Sequence, residues 1–171
     1  MLGLAGHQAV VMHSEARERS AKSDLAERTA RSLGKPFLVV GGPWGDNPFR
    51  KVMNIQYHAC GDFCVDLDPE ACSKCDTRFV QADIRDLPFA NKQMGAVLCS
   101  HVLEHMPSAQ DCSQAWRELH RVAERVFICV PSKQSVIAWL VPDHYLWVQE
   151  VGTRTLKVEE RRTGKTFLVR A

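Results

Sequence analysis

Four apolar runs end in residues that could handle a ligand. Gly41, Gly42 and Gly45 follow the run from Pro36 to Val40, and Asp66 lies at the end of the next, Phe63 to Leu67. A glycine has no Cβ, so the chain can turn tightly or pass close to a ligand. A carboxylate roughly twenty residues beyond such a turn can accept both hydroxyl hydrogens of a ribose. The pairing has the form of a nucleoside site, although the glycines alone could equally form a plain tight turn. A third run, Arg78 to Ala82, ends at Asp83, and a fourth, Ala96 to Ser100, is followed by His101, Glu104 and His105. A histidine there is poised near neutral pH to take a proton, whereas Glu104 and His105 could instead cap and orient a short helix. Cys60, Cys64, Cys72 and Cys75, with His58 nearby, have spacings that zinc sites use. Cys64 falls within the second apolar run, away from the loop pair, so these thiols are read as buried or incidental and no metal ligand is assigned.

The elements that must position these groups follow from the pattern. Ser14 can cap a helix to Leu33, with Gly34 at its stop and Pro36 beyond, and Leu25, Ala26, Thr29, Ala30 and Leu33 form one stripe. Short strands are expected over Pro36 to Val40, Phe63 to Leu67, Arg78 to Ala82, Ala96 to Ser100 and Val126 to Val130. A short helical turn spans Val102 to Met106. A longer amphipathic helix runs from Ser108 to Ala123, with Cys112, Ala115, Trp116, Leu119, Val122 and Ala123 on its buried side. Strands that are continuously apolar belong to a parallel sheet covered on both faces. The expected fold is therefore α/β, a doubly wound, mostly parallel sheet with helices on both faces. A C-terminal β-hairpin, Thr155 to Glu160 and Lys165 to Arg170, closes the sheet edge. Ligands of such sheets lie beyond the carboxyl ends of the strands, where the residues above are found. His144-Tyr145-Leu146-Trp147 could form a substrate lid.

Composition narrows the classes. The chain has 171 residues, 45% hydrophobic and 25% charged, enough for one core, so a single domain over 1–171 is expected, with 1–35 as lead-in and 36–171 as core. A net charge of +2 gives no strong nucleic-acid signal, and the late basic residues from Arg154 to Arg170 read as a solvated hairpin face. The apolar runs are too short to cross a bilayer. Seven cysteines, an odd number with no export signal, fit a reducing compartment better than a disulfide framework, and a cytoplasmic location is expected.

From Phe37 to Val148 the chain resembles the type 11 class I methyltransferases. The best block is FVQADIRDLPFANKQMGAVLCSHVLEHMP, Phe79 to Pro107, with CVDLDPEA at the second strand and RVFICVP at the fifth. The resemblance implies a Rossmann-like domain that binds S-adenosyl-L-methionine and methylates a small-molecule substrate. It implies cofactor-binding positions at Gly41, Gly42, Gly45, Asp66, Leu67, Asp83, Ile84 and Ser100, with Asp66 on the ribose and Asp83 and Ile84 on the adenine. His101 falls where the methyl meets its acceptor. The chain departs from the family at Val40, where an acid is usual, at Pro43 and Trp44 among the glycines, and at Met94-Gly95, where Phe-Asp is usual. These departures motivate the alternative, a non-catalytic relative acting as a binding module. A nicotinamide enzyme would want a cleaner G-x-G-x-x-G than GGPWGD.

Overall fold

A computed structural model describes residues 2–42, 60–73 and 76–171. Helix α1 spans Leu2–Ser32 and runs straight through Ser14, the expected start. Its inner side is set by Val11, Ser23, Ala26 and Ala30, while Leu25 and Leu33 of the expected stripe are 47% and 46% exposed. Small residues at the contact let the helix lie close to the sheet. The sheet contains β1 (Phe37–Val40), β2 (Phe63–Asp66), β3 (Arg78–Gln81), β4 (Met94–Ser100) and β5 (Ala123–Cys129), in the order β3-β2-β1-β4-β5. Every pairing in it is parallel.

Side chains alternate across a strand, so each apolar run serves two faces. Phe37, Val39, Ala96, Leu98 and Cys129 pack with Ala26 and Ala30 of α1. Leu38, Val40, Val97, Cys99 and Ile128 point the other way, against helix α2 (Ala109–Val122). Both faces are covered, which is why the strands read as unbroken apolar runs. Gly95 explains one departure noted above. A Cβ there would lie 2.7 Å from Ala30 Cα, so the larger residue of the usual pattern would push α1 off the sheet.

Helix α2 follows the sequence closely. Ser108 caps it by accepting from Asp111 N at 3.1 Å, and Cys112, Ala115, Trp116, Leu119 and Val122 are fully buried. His120 shares this buried side, its ring edge-on to Trp116 at 4.3 Å between centroids. Its Nε2 is buried without a hydrogen-bond partner among the described residues. Burial, aided by the charges of Arg154 and Lys92, pushes its pKa down to about 4. The unfolded chain, with histidine near its ordinary value of about 6.5, then binds the proton first as pH falls. Stability contributed by neutral His120 is thus fully present above about pH 6.5 and is lost as pH falls toward about 4, by roughly 2 to 4 kcal/mol. His120→Phe is expected to flatten that part of the curve. Denaturant unfolding of both chains across the window checks it, and parallel curves would refute it.

The C-terminal hairpin is present but differently placed. β7 (Thr155–Glu160) and β8 (Thr166–Arg170) form a separate antiparallel sheet with β6 (Leu146–Gly152), in the order β6-β7-β8, and do not extend the parallel sheet. Leu146, Val148, Leu156, Val158 and Val169 are buried in the same core as α2. The hairpin therefore covers α2 instead of closing the sheet edge. A short helix, α3 (Val136–Leu140), precedes β6. Among the described residues no helix is long and apolar enough to cross a membrane.

Candidate functional site

The carboxyl ends of β1, β2, β3 and β4 open into a cavity of about 610 Å³. Gly41, Asp66, Leu67, Asp83, Ile84 and His101 all line it, so the fold gathers most of the residues singled out in the sequence. Gly42 and Ser100 adjoin it without lining it, and Gly45, with Trp44 and Asp46, lies outside the described residues. A larger hollow of about 700 Å³, beside Phe37, Asp62 and Arg78, lies at the amino ends of the strands, the side parallel sheets do not use for ligands.

Asp66 stands at the last position of β2. Its Oδ2 accepts from Gly42 N at 2.9 Å and its Oδ1 from Asp68 N at 3.0 Å. An ionised carboxylate has about four acceptor positions, so each oxygen keeps one free for a ligand hydroxyl. Gly41 has φ +83, and a Cβ there would lie 2.5 Å from Val102 Cγ2 and meet Ser100 O. The turn thus needs glycine to bring β1 against the end of β4.

Asp83 is gripped by Arg85, whose Nε lies 3.0 Å from Oδ1 and whose Nη2 lies 2.6 Å from Oδ2. The Arg85 side chain holds the Asp83 carboxyl below the usual carboxylate range, against the opposing effect of burial. Arg85 also reaches Asp111 in the first turn of α2, at 2.6 Å, fixing the cavity rim to that helix. Asp111 is likewise held low, first by the Ser108 hydroxyl and then by Arg85. Nothing in the spacing of Asp83 and Asp111 signalled that one arginine would join them. Ile84, 4% exposed, supplies an apolar wall beside Asp83.

His101 follows β4 directly, in the left-handed region at φ +55, with its N donating to Cys129 O at 2.8 Å. A non-glycine residue held there costs about 1 to 3 kcal/mol and marks a position the surrounding structure dictates. Its Nδ1 lies 3.2 Å from Glu104 Oε1. Glu104 sits in the single turn Leu103–His105, 1% exposed, and neither carboxyl oxygen makes a contact with hydrogen-bond geometry among the described residues. The Glu104 side chain is therefore no helix cap; it points into a cluster of histidines.

The lid reading is corrected in part. His144 lines the cavity, whereas Leu146 and Trp147 begin β6 and are buried. Trp139 and Trp147 stack around Arg161, which lies 5.3 and 5.2 Å from their ring centres. Arg161 reaches the carbonyl oxygens of Ala138, Trp139, Val141 and His144, so this member of the basic tail holds the end of α3 and places His144. Burial lowers the pKa of His144.

The cysteine reading is also corrected. Cys64 and Cys72 form a disulfide, and Cys60 is disulfide-bonded as well, while Cys75 lies outside the described residues. The turn Pro69–Cys72, capped by Asp68, folds back so that Cys72 faces β2, with 6.3 Å between the Cα atoms. The pull of the strand on Cys64 is what the sequence reading overestimated. Cys99, Cys112 and Cys129 are buried free thiols; burial raises Cys112 to about 12 and Cys129 to about 11.

Residues 50–126 match the family model described as a methyltransferase domain, type 11. That stretch includes Asp66, Asp83 and the segment from His101 to His105 and leaves out Gly41 and Gly42. Solved structures similar to this chain include the PH0226 protein of Pyrococcus horikoshii, 16% identical, with 90% of this chain and 75% of that one covered and a TM-score of 0.45. Another is an S-adenosylmethionine-dependent methyltransferase from Clostridium acetobutylicum, 13% identical, with 82% and 61% covered and a TM-score of 0.46. DesVI of Streptomyces venezuelae is 14% identical, with 90% and 74% covered and a TM-score of 0.48. No curated protein matches the chain. The family match makes the stretch from residue 50 to residue 126 similar to a methyltransferase domain.

Proposed function

We propose that this chain is a methyltransferase that binds S-adenosylmethionine in the 610 Å³ cavity and methylates a small-molecule acceptor. The observation that carries the reading is Asp66, placed at the cavity by β2 with one free acceptor position on each oxygen while backbone N–H groups hold the others. That arrangement fits a ribose diol. Ile84 offers an apolar face for the adenine, and Asp83, steadied by Arg85, an acceptor for its amino group. Leu67, 65% exposed, borders the ribose end, and Gly41, with Gly42 and Ser100 adjoining it, supplies backbone contacts at the glycine turn.

When bound, the cofactor supplies a methyl group on a positive sulfur, which is already a good leaving group. The protein's task is mostly alignment of the acceptor. His101 is the proposed catalytic residue: its Nδ1 lies 3.2 Å from Glu104 Oε1, and Nε2 takes a proton from the acceptor as the methyl bond forms. No observation in the structure favours the non-catalytic alternative.

Asp66→Ala is expected to weaken S-adenosylhomocysteine binding by about 1 to 3 kcal/mol, the cost of leaving hydrogen-bonding partners unmatched in a buried site. Calorimetric titration measures this, with a melting curve to show that the chain remains folded. Unchanged affinity would mean that Asp66 serves only to hold Gly42 and Asp68.

A further inference from the structure

The Glu104 carboxyl, which makes no hydrogen bond among the described residues, lies against two histidines besides His101. A donor atom of Glu104, His105 and His144 comes within 4.8 Å of each of the others. The two rings meet edge to face with centroids 4.7 Å apart. We propose that these three residues form a binding site for one divalent transition metal ion of the zinc type, at the inner wall of the cavity.

Three observations support it. A buried carboxyl with no hydrogen-bond partner is costly, and a cation is the partner that relieves it. Both histidines are arranged as metal ligands usually are. The Nδ1 of His105 lies 3.1 Å from Asp143 O and 3.2 Å from its Oδ2, and the Nδ1 of His144 lies 3.1 Å from Ala138 O. A carbonyl only accepts, so Nδ1 carries the proton in each ring and Nε2 keeps its lone pair for a metal. The donor set also chooses the ion. Two imidazoles and one carboxylate suit zinc, cobalt or iron, whereas magnesium and calcium want oxygen alone.

Tetrahedral ligands at zinc bond lengths stand about 3.4 Å apart, so the side chains close by about an ångström on binding. His105 and His144 line the cavity, leaving the remaining coordination position toward the acceptor's space. Glu104 has two oxygens, one for the ion and one for His101. Positioning follows from elements already described: Tyr145 N donates to Glu104 O at 2.8 Å, and Arg161 holds His144 O at 2.8 Å. The site does not depend on methyl transfer.

The test is titration of tag-free, chelator-treated full-length protein with cobalt(II), followed by absorption and calorimetry. One equivalent is expected to bind, with visible bands but no thiolate charge-transfer band. Glu104→Gln and His144→Asn, each checked for folding by circular dichroism, are expected to weaken binding at least about 100-fold, the upper end of what losing even an outer partner costs. If one variant does not fold, His105→Asn replaces it with the same expectation. Absence of saturable binding, a thiolate band, or unchanged affinity in the folded variants would overturn the proposal.

Discussion

Gly42→Val is expected to abolish S-adenosylmethionine binding and to lower the melting temperature at the same time. The reason is local and steric. A Cβ at Gly42 would lie 2.5 Å from Ala71 C and meet Ala71 O, both backbone atoms of the turn Pro69–Cys72. That turn is held by its Asp68 cap and by the Cys64–Cys72 disulfide, so it cannot easily retreat. The displaced residue would be Gly42 itself, and its N–H would leave Asp66 Oδ2. Overpacking of this kind costs about 1 to 3 kcal/mol, and the carboxylate would lose the contact that aims it. From the sequence alone, a ligand is what a larger residue at Gly42 would exclude; in the structure it is the β2 turn. Calorimetry and a thermal melt on the same variant check both effects. Normal affinity with a normal melt would show that the turn has room for a side chain and would overturn the steric argument.

Trp116→Ala is expected to cost about 3 to 5 kcal/mol of stability, a large share of the 5 to 15 kcal/mol usual for a domain. Trp116 is fully buried at the centre of the core that joins the parallel sheet, α2 and the antiparallel sheet. Its Nε1 donates to Arg154 O at 3.2 Å, between β6 and β7, so truncation empties a large volume and frees a carbonyl together. Cofactor affinity measured well below the melting temperature should stay the same, because Trp116 does not line the cavity. Denaturant unfolding decides it; a loss under about 1 kcal/mol would place the ring at a site that collapses without a cavity.

What the sequence revealed and what it hid have physical causes. The parallel sheet and the buried side of α2 were legible because unbroken apolar strands and three-and-four spacing are local signals that a covered sheet and a half-buried helix both require. Asp66, Asp83 and His101 were legible because strand ends in such a sheet converge. β6 was missed because only Leu146 and Val148 keep the alternation and the charged strand end reads as loop. The Cys64–Cys72 bond depended on a turn tightened by Asp68, which spacing alone does not announce. Arg161 was read among the solvated charges of the late basic stretch, and Arg85 was given no role. Each instead ties together segments distant in sequence, Asp83 to Asp111 and β7 to the end of α3, and such links arise only from tertiary contact.

The most direct test of the central reading is a crystal structure of the chain grown with S-adenosylhomocysteine. On that reading the nucleoside is expected in the cavity at the carboxyl ends of the strands, its ribose hydroxyls on Asp66 and its adenine against Ile84. A chain that crystallises without the ligand at saturating concentration, or holds it in the hollow beside Phe37 and Arg78, would contradict it.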